Sequence, residues 1–211
     1  SIHKVVSSNK TIGKYQLVND SKRGVTWKGG SYVVNKNTTI KGKIICKGVI
    51  TLFLCDGCRL KANTFSGKKG KSITIYGNGS GRLISRNIVQ FKDFVIQGGV
   101  VEATGNGCEK INFTMYGGKF SAKNHGNAMN TGDGKSMTIY DGEVEVTSTN
   151  KNAIVVGDDA NLGTLTVYGG TVKANAPNGQ ALKGNFAAGD GCAIGFFATD
   201  DLNDWGEALL S

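Results

Sequence analysis

Four tyrosines recur along the chain in one short phrase, and a glutamine takes the equivalent place once. The first copy reads Ser72-Ile-Thr-Ile-Tyr-Gly, and glycine follows the tyrosine within two residues in every copy. If these positions share one surface, their rings form an aromatic strip that stacks on pyranose faces, while the phenol groups bond sugar hydroxyls. A ladder that only stabilises the fold is the alternative. The positions are Tyr76, Gln97, Tyr116, Tyr140 and Tyr168.

A second group of candidate binding residues is basic and lies on the turns around the first copy of the phrase. Arginine and lysine side chains bind the carboxylate or sulfate groups of acidic polysaccharides. Nucleic acid is not expected as a partner, because exposed aromatic residues do not interleave with the basic stretch and no nucleic-acid-binding module is recognisable. A solvated basic face is the alternative. The predicted binding residues of this group are Lys68, Lys69, Lys71, Arg82 and Arg86.

Residues suited to catalysis or metal binding are sparse. His3 and His125 are the two histidines, so no Ser-His-Asp set can be assembled, and no glycosidase pair of carboxylates can be placed. Acidic turns such as Asp158-Asp159 are candidates for Ca²⁺, although ordinary turn residues are the alternative reading. We therefore expect no catalytic residue, no metal ligand and no cofactor, with calcium as an unproven option.

The five cysteines are an odd number, so at least one thiol is unpaired. Cys55-Asp-Gly-Cys58 is the one C-x-x-C motif, and neither a second motif nor a histidine pair completes a zinc site. We expect most cysteines to be packing residues. A local disulfide or a redox role for Cys55 and Cys58 is the alternative.

These candidates must be positioned by a repeated unit. The tyrosine positions recur with a period of roughly 20 to 30 residues, which is typical of a solenoid. The phrase alternates with period two, and each later copy is followed by two more strand-like runs, such as Glu143-Val-Glu-Val and Asn152-Ala-Ile. Three runs per unit predict an all-β, right-handed parallel β-helix. One coil earlier, Leu54 is expected to align with Ile75.

We expect one domain over residues 1–211 with about seven coils, since a solenoid needs atypical end pieces that cover its core. Residues 1–30 are expected to form an N-terminal cap or a leading strand. The coils are expected over 31–198, and 199–211 are expected to be a C-terminal cap or a truncated tail.

Charge divides the chain into two halves. Residues 1–92 contain 18 Lys or Arg and two Asp, whereas residues 93–211 contain 7 basic and 14 acidic residues. In a stacked fold this gives a rod with a basic and an acidic half. The basic half is a candidate for binding a polyanion. Because the two ends of the rod carry opposite charges, head-to-tail self-association is also expected to be favourable.

The segment from Ile50-Thr-Leu-Phe-Leu-Cys to Arg82-Leu, together with the Tyr-Gly-Gly-x-Val-x-Ala units, resembles carbohydrate-binding-type parallel β-helix repeats of secreted or surface-anchored bacterial proteins. The resemblance covers roughly residues 30 to 185. It implies a parallel β-helix, an extracellular location, and non-catalytic glycan binding or adhesion. Some similar proteins favour cellulose or pectic acids and use calcium. Its motifs mark strands and corners, so no ligand residue is transferred from it.

Together these features predict a secreted or cell-surface protein that binds an extended acidic polysaccharide and has no enzyme activity. A structural spacer or adhesin shaft of a larger surface protein is the first alternative, and a polysaccharide lyase is the second. No run of 18 apolar residues occurs, so no membrane span is expected.

Overall fold

The computed structural model describes residues 14–198, and every regular element within them is a β-strand, which confirms the predicted all-β class. In chain order the strands are β1 (Gln16–Leu17), β2 (Val25–Trp27), β3 (Gly30–Val34), β4 (Thr38–Cys46), β5 (Ile50–Leu54), β6 (Arg59–Gly77), β7 (Arg82–Ile96), β8 (Val100–Glu109), β9 (Phe113–Met115), β10 (Lys119–Asn124), β11 (Met129–Asn130), β12 (Met137–Ile139), β13 (Glu143–Ser148), β14 (Ile154–Val155), β15 (Thr164–Val167), β16 (Thr171–Ala176), β17 (Leu182–Lys183), β18 (Asn185–Ala188) and β19 (Ala193–Ala198).

These strands pair in parallel and form the three faces of a solenoid of about eight turns. The first face contains β1, β3, β5, the last parts of β6 and β7, β9, β12, β15 and β18. The second contains the first parts of β4, β6, β7 and β8, then β10, β13, β16 and β19. The third contains β2, the last parts of β4 and β8, the middle parts of β6 and β7, and β11, β14 and β17. The predicted parallel β-helix is thus confirmed, while its right hand stays a prediction.

The core is a stack of inward-facing side chains, one set from each turn. Alternate residues of each strand point inward, as the period-two pattern predicts. Five phenylalanine rings also form a continuous chain through the core, with successive centroids 4.8 to 6.3 Å apart. Each turn buries its apolar side chains on the next turn, so the stack is cooperative. These rings are Phe65, Phe91, Phe94, Phe113 and Phe120, all fully buried.

Glycines form the corner between the first and second faces, immediately after the tyrosine positions. Gly118 has a φ of 89°, and a Cβ there would lie 2.4 Å from the carbonyl oxygen of Gly99 in the preceding turn. Gly142 and Gly170 repeat this arrangement on the following turns. The corner therefore requires a residue without a side chain, both for its left-handed backbone and for its close stacking.

The structure corrects one alignment of the sequence prediction. Ile75 pairs with Leu52 and not with Leu54, so this step of the repeat is longer than expected. Because the shift is by two positions, the inward and outward faces are unchanged, but Phe53 now precedes Tyr76 in its column. Within the expected N-terminal cap or leading strand, 1–30, β1 and β2 pair with β3 and β4. The expected C-terminal piece, 199–211, lies outside the described residues, as do 1–13.

Candidate functional site

Three of the four predicted tyrosines form a continuous aromatic stack at the end of the first face. Tyr116 and Tyr140 have ring centroids 4.7 Å apart and planes inclined by 2°. Tyr140 and Tyr168 have centroids 5.0 Å apart and planes inclined by 10°. All three remain about half exposed, at 46%, 43% and 57%. Tyr76 is separated from them by the turn of Gln97 and stacks instead on the buried ring of Phe53, at 5.2 Å.

This geometry decides which parts of the rings face solvent. Parallel rings whose centroids lie about 5 Å apart must overlap face to face, because rings placed side by side in one plane would collide at this distance. Both faces of Tyr140 are therefore covered by Tyr116 and Tyr168. The edges and hydroxyl groups are what a ligand would meet. The column is confirmed as a ladder, but the expectation of a flat strip that offers ring faces to sugars is wrong for its central ring.

The predicted basic residues do not come together in one cluster. Lys68 and Lys71 are exposed at the corner between the third and first faces. Arg82 begins the second face, where its Nη1 lies 3.5 Å from Oε1 of Glu102. Arg86 is exposed at the corner between the second and third faces. For Lys69 only the backbone path within β6 is described.

A polar groove on the third face joins residues that the sequence did not connect. It has a volume of about 450 Å³ and extends over four successive turns. Because neighbouring strands are about 4.8 Å apart, four turns correspond to about 14 Å along the axis. We name it the third-face groove. Its lining residues are Lys43, Ile45, Thr64, Ser66, Lys68, Asn87, Val89, Gln90, Glu109 and Lys110.

Strand register places these side chains in columns along the axis. Lys43, Thr64 and Asn87 are paired one above the other. A second column runs next to it and alternates apolar and polar groups over four turns. Its members are Ile45, Ser66, Val89 and Glu109. The groove thus has a half-buried apolar floor at Ile45 and Val89, with polar groups beside it.

Most polar groups of the groove are free for a ligand. Within residues 14–198 no hydrogen bond or ion pair engages the ammonium groups of Lys43, Lys68 and Lys110. The carboxylate of Glu109 and the side chains of Ser66 and Gln90 likewise form no hydrogen bond or ion pair within that range. Asn87 Oδ1 accepts a hydrogen bond from Thr64 Oγ1 at 2.9 Å, which leaves the Asn87 amide nitrogen as a donor.

One polar column outside the groove links successive turns through its side-chain carbonyl oxygens. Asn127 Oδ1 accepts from the backbone N–H of Asn152, and Asn152 Oδ1 accepts in turn from that of Gln180. Those amides stabilise the stacking of successive turns. Asn87 and Gln90 of the groove donate no side-chain hydrogen bond within the described part of the chain.

The backbone of the groove carries two unusual conformations. Gln90 and Lys110 have φ values of 63° and 56°, and no other described residue except glycine has a positive φ. They follow the paired residues Val89 and Glu109, so they occupy the same corner on consecutive turns. Left-handed backbone is unfavourable for side chains of this type. Residues kept in such conformations concentrate at functional sites.

No cluster of three or more His, Cys, Asp or Glu side chains suited to a metal ion is found among residues 14–198. Asp158 instead accepts hydrogen bonds from the backbone of its own turn, at Ala160 and Asn161. Asp159 forms an ion pair with Lys183. The acidic turn therefore uses its carboxylates within the fold.

The third-face groove gave little signal in the sequence. Only Lys68 of its lining was among the predicted binding residues. Lys43, Thr64 and Asn87 follow one another at nearly the same spacing as the tyrosine positions. Extending the tyrosine register to the third run of each turn is the signal that points to them.

Comparison with protein-family models, with curated proteins and with solved structures finds no match to this chain. Between residues 14 and 198 the structure contains no apolar helix of the length that a bilayer crossing requires.

Proposed function

We propose that this protein binds an extended acidic polysaccharide in the third-face groove and does not catalyse a reaction on it. The observation that carries the proposal is the set of unengaged polar groups along that groove, in particular the ammonium groups of Lys43, Lys68 and Lys110. Eight of the ten lining residues also lie within residues 1–92, where basic residues predominate. We further propose that the protein is secreted or exposed on a cell surface, where such polymers occur.

The repeat of the solenoid supports an extended ligand over a compact one. Equivalent positions recur about every 4.8 Å along the groove, so a polymer that lies parallel to the axis meets a similar set of groups on each turn. Ile45 and Val89 give the floor an apolar component. The apolar face of a sugar ring can rest on such a floor, while its hydroxyl groups meet Ser66 and the free amide nitrogen of Asn87.

Charge supports an acidic ligand. Three lysines and one glutamate line the groove, so cationic groups exceed anionic ones. Lysine binds carboxylate or sulfate as a point charge, and such pairs at an exposed surface weaken as the ionic strength rises. Binding that falls with added salt is therefore expected.

The absence of catalysis in this proposal rests on the composition of the groove. Its lining supplies one carboxylate, Glu109, and no histidine, whereas a glycosidase of the usual kind needs a pair of carboxylates. A lyase remains the alternative for this site. An absorbance assay for unsaturated uronate products distinguishes it, since turnover of the polymer overturns the non-catalytic proposal.

A structural shaft is a second candidate, and the aromatic stack of Tyr116, Tyr140 and Tyr168 favours it. These rings cover one another and thereby stabilise the stack of turns. Under this alternative the solenoid serves as a long and stiff spacer within a larger surface protein, and the groove retains no polymer.

The binding test compares two double variants of equal charge. Lys43→Ala/Lys68→Ala removes two ammonium groups from the groove, and Lys36→Ala/Lys61→Ala removes two from exposed positions outside it. The probes are polygalacturonate and uncharged dextran. Each lost pair is worth up to about 1 kcal/mol, so the groove variant should bind polygalacturonate about tenfold more weakly. Equal loss in both variants would mean that only net charge matters, and no retention of the parent protein would reject the proposal.

A further inference from the structure

Cys55 and Cys58 occupy the two ends of a tight turn at the corner between the first and second faces. The backbone N–H of Cys58 donates to the carbonyl of Cys55 at 3.0 Å, and Gly57 has a φ of 69°. A turn closed by this hydrogen bond brings its end Cα atoms within about 7 Å. Disulfides need Cα atoms roughly 4.4 to 6.8 Å apart. The backbone therefore places the two cysteines at a separation that a disulfide can bridge.

The turn is held by the equivalent turn of the next coil. Asp56 Oδ1 accepts hydrogen bonds from the backbone N–H of Ser80 at 2.8 Å and from Ser80 Oγ at 3.0 Å. The N–H of Gly57 donates to Ser80 Oγ at 3.1 Å. These bonds also lower the pKa of Asp56, the backbone N–H of Ser80 most strongly, so the carboxylate is ionised and accepts them throughout the neutral range. Little conformational freedom is left to lose when the two sulfur atoms join.

Exposure separates this pair from the other thiols. Cys55 and Cys58 are half-buried, whereas Cys46, Cys108 and Cys192 are buried. Burial raises the pKa of Cys46 to about 12, and it also raises the pKa of Cys108 strongly. Reaction requires a thiolate that a reagent can reach, so the buried three are inert in the folded protein.

We propose that Cys55 and Cys58 form a thiol–disulfide site that is oxidised by a small disulfide such as oxidised glutathione. One cysteine thiolate attacks the glutathione disulfide, which forms a mixed disulfide and releases one glutathione thiolate. The other cysteine thiolate attacks the protein sulfur of that mixed disulfide and releases the second glutathione. Two protons leave the cysteines, and two electrons pass to oxidised glutathione, which becomes two molecules of the thiol.

The pH dependence of this reaction follows from the surroundings of the pair. Burial and the neighbouring Cys58 raise the pKa of Cys55, and burial and Asp56 raise that of Cys58. Fewer thiolates are present at neutral pH than for a free cysteine, so oxidation accelerates as the pH rises. The site lies at the corner opposite the third face, so its oxidation leaves binding in the third-face groove unchanged. A failure of either proposal is thereby separable from a failure of the other.

The test equilibrates the whole chain in buffers of varied reduced and oxidised glutathione, traps thiols with acid, and alkylates them after denaturation. Mass spectrometry should find Cys55 and Cys58 joined and unalkylated, and the other three cysteines alkylated at every ratio. Cys55→Ser should leave at most a glutathione adduct at Cys58. Full alkylation of all five cysteines in oxidised glutathione, or adducts without an intramolecular bond, overturns the proposal.

Ser80→Ala tests whether the turn itself is responsible. This variant removes the hydroxyl that bonds Asp56 and Gly57 but keeps both cysteines. It should need at least about a fivefold higher ratio of oxidised to reduced glutathione for half-oxidation, because the variant loses two hydrogen bonds and one ordinary hydrogen bond alone corresponds to about fivefold. If the ratio is unchanged, the hydrogen bonds from Ser80 do not preorganise the two cysteines, and the proposal that this turn favours their oxidation is wrong.

Discussion

Tyr140 lies face to face with Tyr116, with ring centroids 4.7 Å apart and planes inclined by 2°. Tyr168 covers the opposite face of the same ring at 5.0 Å. Tyr140 therefore has two aromatic neighbours, whereas Tyr168 has one among the described residues. An aromatic pair contributes about 0.5 to 1.5 kcal/mol beyond the area that it buries.

We expect Tyr140→Ala to lower the free energy of unfolding by about 1 to 3 kcal/mol and Tyr168→Ala by about half as much, because the first removes two ring pairs and the second removes one. Urea denaturation followed by circular dichroism measures both. Tyr140→Phe is the control, since it keeps the stack and removes only the hydroxyl group. Equal losses at the two positions would contradict a stabilising role of the stack.

The same stack gives a second prediction, on binding. Tyr116→Ala/Tyr140→Ala should retain polygalacturonate as well as the parent protein does, because the proposed site lies on another face and the ring faces of Tyr140 are already covered. Co-sedimentation with the polymer, at a temperature where the variant is folded, measures this. If the variant retains clearly less polygalacturonate than the parent protein, the tyrosine column is part of the binding site.

The glycine corner leads to a prediction on stability. Gly118→Ala places a Cβ 2.4 Å from the carbonyl oxygen of Gly99, at a φ of 89°. Gly134→Ala is the matched control, since its φ is 62° but no heavy atom lies within 4 Å of the added Cβ. The control should cost about 1 kcal/mol for its backbone alone, and Gly118→Ala should cost at least about 2 kcal/mol more. Thermal denaturation of both variants measures this difference, and similar costs would contradict the close stacking of the corner.

Asp93 gives a prediction on acid stability. Ser72 Oγ donates to Asp93 Oδ2 at 2.7 Å, and Asn112 Nδ2 donates to Oδ1 at 3.2 Å. The bond from Ser72, followed by Asn112 and the charges of Lys92 and Lys135, holds the pKa of Asp93 below its ordinary value of 3.8, although burial opposes this. A carboxyl group whose pKa is lower in the folded state stabilises the fold above its unfolded pKa, and this contribution disappears as the pH falls through the folded pKa.

Asp93→Asn should therefore be less stable than the parent protein above about pH 5, and the difference should shrink as the pH falls below about 4 and through the lowered pKa of Asp93. Urea titrations over this range measure it. Asp190→Asn is a suitable control, because this exposed carboxyl group forms no hydrogen bond or ion pair within residues 14–198. A difference that does not change with pH would show that Asp93 is not stabilised in its ionised form.

Much of the fold follows from local chemistry that the sequence displays. The tyrosine phrase predicts the first face, because alternation fixes which side chains point inward and glycine fixes the corner. The third run is also predicted, although its strands begin two residues later than expected, as at Ile154 where the run begins at Asn152.

The groove could not be predicted in the same way. Its columns depend on how many residues each corner takes up, and the register shifts between Ile40 and Lys43 and again between Ser66 and Lys71. Glycines lie in both stretches, but a glycine permits a bend without setting how many residues the bend contains. The left-handed backbone of Gln90 could not be predicted from the sequence either, because glutamine is not a residue type that favours this conformation.

Lys110 tests whether a residue of the groove contributes to binding at the expense of the stability of the fold. Its φ of 56° is unfavourable for any side chain, so Lys110→Gly should raise the free energy of unfolding by about 0.5 to 1 kcal/mol. Lys110→Ala is the matched control, since it removes the ammonium group but keeps the unfavourable backbone. Both variants should bind polygalacturonate several-fold more weakly, by the loss of one charge contact, while only the glycine variant is stabilised. If the glycine variant binds as tightly as the parent protein, Lys110 does not contact the ligand. If it is no more stable than the alanine variant, its backbone is not strained, and the argument from conformation to function fails at this corner.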